Sequence, residues 1–291
     1  MKYLEKHPGI VMVIGILGIS LSSIFIKYST GPSAVNAAWR LLWTVGLMTP
    51  VVLGRKQIRG ELLHLPKREL ILSMVSGLFL AIHFAFWFES LKQTTVASAA
   101  SIVCTEVIWV SLGYCVFLKG KLSLKAMAFI AVSLLGSVCI AFSDSGTGGS
   151  HLYGDILALF AAAAVAVYVL LGRVVQAKVS TTVYTYVVYV SCAVALVALC
   201  LVQGIGLTGH GPSPIIVGVL LAVFSTILGH SIFSWCLKYF TPSFVSAAKL
   251  MEPVVASFLA VFLFREIPTA LQLLGGALIL GGVYAYAKME Q

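Results

Sequence analysis

The chain has 291 residues, 60% of them hydrophobic and 10% charged, with a formal net charge of +9. Soluble domains carry about 25% charged residues, so this composition and a mean hydropathy of +1.03 exclude a soluble globular core and indicate a polytopic helical membrane protein. The basic excess is scattered over short segments between apolar runs, not gathered on one face, which excludes a nucleic-acid partner.

Ten apolar runs follow one another, each near the roughly 20 residues that a helix needs to cross hydrocarbon. The first five cover about Pro8–Tyr28, Ser33–Gly54, Leu70–Ser90, Thr95–Leu118 and Leu124–Ser143. The second five cover about Tyr153–Val175, Thr181–Gln203, Ser213–Leu237, Thr241–Phe264 and Ala270–Ala287. Gly31-Pro32, Pro66, Gly120, Gly211-Pro212 and Pro268 punctuate them. A Ser/Gly-rich stretch at 144–150 is the seam between residues 1–145 and 146–291. With the N-terminus inside, fourteen Lys and Arg in the loops or at span ends fall on the inner side and three on the outer. Both termini are therefore expected in the cytoplasm. The six cysteines all lie inside apolar runs without CxxC or Cys/His spacing, so neither a metal nor a disulfide framework is expected, and no cofactor is implied.

Glu106 and Glu252 stand mid-run, 146 residues apart. At that offset Lys27 falls on Arg173, Leu91 on Leu237, Lys92 on Lys238 and Gly136 on Gly282. A carboxylate at the bilayer centre costs about 2.5–3.5 kcal/mol on insertion scales. Two at matching points of a repeat point to a transport pathway. Five spans per half make the halves insert with opposite topology, so the fold expected is all-α, ten transmembrane helices as a 5+5 inverted repeat with its site at mid-membrane.

Span nine is densest in polar residues. Ser246, Lys249, Pro253 and Ala256 share a face, with Glu252 beside it. Pro253 cannot donate to the carbonyl of Lys249, so a kink is expected there. One turn thus offers an ammonium, a carboxylate and a freed carbonyl to a zwitterionic or polar solute. The structural alternative is a self-contained Lys249–Glu252 pair at i,i+3. Glu106 has no cation within a turn in sequence and is a candidate for proton coupling or substrate contact. His83 and Trp87 lie one turn apart in span three, and His230 lies in span eight between Thr226 and Ser234. The two histidines are placed to bracket a central cavity from opposite sides. Arg40 either snorkels outward or forms a structural ion pair with an acid such as Glu89. In span one Ser20, Ser23 and Lys27 share a face, and the glycines of span ten (Gly275, Gly276, Gly281, Gly282) suggest close packing or a homodimer face.

Several strings carry a family resemblance: Trp39-Arg40-Leu41-Leu42, His83 through Leu91, Gly229-His230-Ser231-Ile232-Phe233-Ser234-Trp235, Glu252-Pro253, and Phe264-Arg265-Glu266-Ile267-Pro268-Thr269. With the duplication, the chain resembles the EamA-type ten-helix branch of the drug/metabolite transporter superfamily over nearly its whole length. The resemblance implies alternating access around a cavity lined by spans one, three, four, six, eight and nine. It would place Ser23, His83, Trp87, Glu106, Tyr168, His230, Lys249 and Glu252 on those helices. The chain has Val107 where the family often has proline, and Gly120 where a glutamate is common. The halves are therefore expected to contribute unequally.

The function expected is secondary transport of a small polar metabolite across a bacterial cytoplasmic membrane. An amino acid or related zwitterion is the first candidate, with export favoured and proton coupling as the energy source. Efflux of cationic or aromatic drugs is the alternative. A remote one is an intramembrane enzyme acting on a lipid-linked substrate, which no nucleophile or metal motif supports.

Overall fold

In a computed structural model, residues 6–94, 96–144, 152–264 and 269–290 are described. The Ser/Gly stretch at 145–150 and most of the Phe264–Thr269 motif lie outside them. Among the described residues every regular element is helical. Helices α1 (Pro8–Lys27), α2 (Ser33–Gly54), α4 (Lys67–Gln93), α8 (Leu152–Val175) and α9 (Thr181–Val202) are single rods. Between α2 and α4 runs a short exposed helix, α3 (Lys56–Leu63). The remaining elements are α5 (Val96–Val103), α6 (Glu106–Phe117), α7 (Leu124–Asp144), α10 (Ser213–Leu220), α11 (Ser231–Cys236), α12 (Pro242–Ala248), α13 (Met251–Phe264) and α14 (Ala270–Glu290). A π-helical segment, Leu221–His230, joins α10 to α11.

The ends follow local chemistry. Pro8 and Pro242 occupy first-turn positions that have no N–H to satisfy. Ser180 Oγ accepts from the Val183 N–H and Thr241 Oγ1 from the Phe244 N–H, closing the starts of α9 and α12. Eight helical stretches are long and apolar enough to cross a membrane, and Leu124–Ile140 is a shorter apolar helix. The run Thr241–Phe264, taken as one span from sequence, is divided into α12 and α13.

The radial distribution of polarity is inverted relative to a soluble protein. Leu17, Phe117, Phe142, Val194 and Leu273 are exposed on the outside. Arg40, His83, Glu106, His230 and Lys249 are buried within. Lipid is the surrounding that such an exterior suits.

Close backbone approaches hold the helices together. A Cβ on Gly18 of α1 would stand 2.6 Å from the Phe224 carbonyl oxygen of the π segment, and one on Gly136 of α7 would stand 2.5 Å from the Gly275 carbonyl oxygen of α14. Gly282 likewise faces Ser133 and the Phe129 carbonyl of α7. Two of the four glycines offered as a dimer face are thus spent inside the chain. At one end of the bundle, Lys178 pairs with Glu69 at 3.3 Å, and Glu61 Oε1 accepts from the Ser180 N–H at 2.6 Å. At the other, Ser213 bridges the Thr30 N–H and the Tyr28 carbonyl, and Lys92 donates to the Gly31 carbonyl.

Candidate functional site

Both glutamates stand at the starts of half-helices. The run of span four breaks at Cys104-Thr105, and Glu106 is the first residue of α6. That of span nine breaks at Lys249-Leu250, and Glu252 is the second residue of α13. Through each break the i→i−4 ladder gives way to tighter bonds: Thr105 N–H to the Ile102 carbonyl, Ile108 to Thr105, Leu250 to Ala247 and Glu252 to Lys249. A carboxylate is favoured at a helix start by the local dipole. Paired discontinuous helices at matching points of a repeat are a recurring framework of transport sites.

Pro253 accounts for the second break, since it has no N–H for the Lys249 carbonyl. The first has no proline, with Val107 in its place, so the unequal contribution expected from that difference does not extend to the helix break. Tertiary bonds join the two breaks. Lys249 Nζ donates to Glu106 Oε1 at 2.8 Å, with both residues buried. Cys104 Sγ donates to the Lys249 carbonyl at 3.9 Å. The partner that Glu106 lacks within its own helix thus comes from the other half of the chain. Lys249 consequently makes no ion pair with Glu252, and among the described residues no hydrogen bond to the Glu252 carboxylate is found.

Beside this crosslink lies a cavity of about 40 Å³, room for very few waters. Ser22 of α1, Arg40 of α2, His83, Phe84 and Trp87 of α4, Glu106, His230, Lys249 and Glu252 are on its wall. His83 Nδ1 donates to the Ala161 carbonyl at 2.9 Å, which fixes the ring. His230 meets His83 edge-on, ring centroids 6.3 Å apart, and its Nδ1 is buried without a partner. The histidines expected to bracket a cavity therefore touch across it.

Three expectations need correction. Ser23 is buried but does not line the cavity; Ser22 does, because α1 is turned by one residue relative to the face drawn through Ser20 and Lys27. Tyr168 stands one layer back, its hydroxyl 2.7 Å from Ser234 Oγ and its ring against His230. Arg40 neither snorkels nor pairs with Glu89. It is 1% exposed, because the face of α2 that carries it turns inward onto α1 and the π segment. Nε donates to Thr226 Oγ1 at 2.8 Å, one terminal nitrogen to Ser22 Oγ at 3.4 Å, and the guanidinium lies 4.1 Å over the Phe84 ring. Glu89 instead accepts from Gln93 at 3.0 Å. Span two thus joins the six spans expected to line the cavity. The sequence shows Thr226 only as a neighbour of His230 and Phe84 only within the string His83 through Leu91; hydroxyls and rings are too common there for either to stand out as a partner of Arg40.

Comparison with known proteins gives a concordant picture. The model of the EamA-like transporter family matches residues 8–142 and again 152–287. An uncharacterized transporter of Archaeoglobus fulgidus is 25% identical over 265 residues, covering 89% of this chain and 85% of that protein. The uncharacterized transporter YxxF of Bacillus subtilis is 23% identical over 282 residues, covering 96% and 89%. A solved structure described only as a protein crystal structure superposes with a TM-score of 0.79 at 19% identity, covering 98% of this chain and 97% of that one. It has the same fold.

Proposed function

The chain belongs to the EamA-like transporter family, and from that premise we propose that it is a ten-span secondary transporter which exports a small zwitterionic metabolite, such as an amino acid, by alternating access. The observation that carries this reading is the meeting of two broken helices, one from each family match, at a buried polar cavity. Membrane transport and a membrane-embedded, multi-span chain follow from the family and the apolar helices. The ten-span count, with both termini cytoplasmic in the inner membrane, rests on Leu124–Ile140 and the α12–α13 pair serving as spans and on the distribution of basic residues.

The mechanism follows from which bonds the cavity wall makes. Glu106–Lys249 and Cys104–Lys249 tie the two breaks together, so moving one half against the other works on these bonds first. Glu252, whose carboxylate has no ion pair or hydrogen bond among the described residues, is the carboxyl free to exchange a proton with the pathway and so to couple transport to a proton gradient. At about 40 Å³ the cavity is too small for a metabolite. Its walls must part to load. On that wall the cations Arg40 and Lys249 are matched by the carboxylates Glu106 and Glu252, a balance that suits a solute carrying both charges better than a purely cationic drug.

The test is counterflow into liposomes carrying the purified protein, using radiolabelled amino acids, polyamines, quaternary amines, nucleosides and sugars with and without an imposed pH gradient. Amino acid uptake that responds to the gradient and is lost in Glu252→Gln supports the proposal. Flux of quaternary amines alone would transfer the case to drug efflux.

A further inference from the structure

Four charged side chains reach the cavity, and only two of them are satisfied by each other. Lys249 and Glu106 form an ion pair at 2.8 Å. Arg40 and Glu252 line the same small space, yet make no ion pair with one another or with any other described residue. Among the described residues the Arg40 guanidinium is held in place by neutral groups: two hydroxyls and the rings of Phe84 and Phe88. Its remaining terminal nitrogen is buried without a hydrogen-bond partner. A buried arginine normally finds a carboxylate, because removing its charge from water costs several kcal/mol. Here it is oriented and left with both N–H groups of one terminal nitrogen unused, facing a cavity.

We propose that Arg40 is the carboxylate anchor of the transported solute and Glu252 the acceptor for its ammonium group, with Lys249 and Glu106 spent on each other. The assignment rests on the zwitterion reading above and goes further, since it moves anion recognition from Lys249 in span nine to Arg40 in span two. The planar fork of a guanidinium, already fixed through Nε and one terminal nitrogen, presents its free N–H groups in one direction, the geometry that suits a carboxylate. An α-amino acid carries its two charges on neighbouring atoms and its own charges cancel. Filling the site adds no net charge to a buried region. A solute with only one of the two charges would leave Arg40 or Glu252 unpaired.

The experiment measures binding to the detergent-purified full chain by ligand-induced thermal stabilisation. The probes are the common L-amino acids, each beside its methyl ester, which lacks the carboxylate, and its N-acetyl derivative, which lacks the ammonium. The expected result is at least one amino acid whose Kd rises tenfold or more with either block. Arg40→Gln should remove the acid-over-ester preference and keep the penalty for N-acetylation; Glu252→Gln should do the reverse. Thr226→Val, which keeps the guanidinium but takes away the acceptor for Nε, should reduce the acid-over-ester ratio several-fold and serves if Arg40→Gln does not fold. An unchanged acid-over-ester preference in these Arg40 and Thr226 variants overturns the anchor while leaving the zwitterion reading standing. A wild type that binds amines, nucleosides or sugars but no amino acid overturns the substrate class, and the anchor with it.

Discussion

Separating Lys249 from Glu106 tests whether the two broken helices are held by their ion pair. The residues are 6% and 3% exposed and their charged atoms lie 2.8 Å apart. Removing one partner of such a pair strands the other charge, which costs about 3–5 kcal/mol. Replacing both with neutral groups of similar size is often neutral or stabilising. Lys249→Met and Glu106→Gln should therefore each destabilise by about 3–5 kcal/mol, and the double variant should recover most of that loss. The assay is equilibrium unfolding in mixed detergent and sodium dodecyl sulfate, read by tryptophan fluorescence for wild type, both single variants and the double. Because the pair is buried, added salt should leave the coupling nearly unchanged. The reasoning fails if each single variant costs less than about 1 kcal/mol, as an exposed pair would, or if the two losses simply add.

Glu252→Gln, measured in the same unfolding assay, is expected to be neutral or stabilising, since its carboxylate has no partner among the described residues; a loss as large as that of Glu106→Gln would reveal a partner. Pro253→Ala should change stability by less than about 1 kcal/mol, because Pro253 is the third residue of α13 and its missing N–H is one that a helix start leaves free. A gain near 3 kcal/mol would instead mark a helix interior. Gly18→Ala should cost about 1–3 kcal/mol, since the new Cβ meets backbone of the π segment that has no rotamer to change; an unfolding midpoint equal to wild type would refute that close approach. Lys178→Ala should cost no more than about 1 kcal/mol, the lysine side chain being 65% exposed despite its bond to Glu69.

Much of this arrangement could be read from the chain because bilayer physics is one-dimensional. Apolar runs and the Gly/Pro punctuation between them predict α1, α2, α8 and α9 to within a residue or two at their ends. Charges at mid-run stand out against hydrocarbon, so Glu106, Glu252, Lys249 and the two histidines could be named as site candidates. Pro253 announced one helix break. The break before Glu106 could not be read, since it coincides with bonds to Lys249, 143 to 145 residues away. From sequence Arg40 reads as a residue that snorkels to the interface or pairs with an acid such as Glu89, because nothing in its own helix reveals that Thr226 and Ser22 wait on two others. Ser22 and Ser23 show the limit of helical periodicity: a rotation of about 100° per residue decides which one meets the cavity.

The π segment Leu221–His230 winds two residues of the site into one coil of unusual pitch. A stretch bonded i→i+5 accommodates a residue more than an α turn would, and within it Thr226 Oγ1 donates to the Leu221 carbonyl while the Ser231 hydroxyl and N–H both reach back to the Thr226 carbonyl. Rewinding one such turn to α would rotate everything beyond it by about 100° about the helix axis. Thr226, which holds Arg40, and His230, which closes the cavity wall, lie within this single coil. A change in its winding would therefore reorient the arginine's support and withdraw the imidazole in one screw motion, with α1 serving as the fixed rail at Gly18.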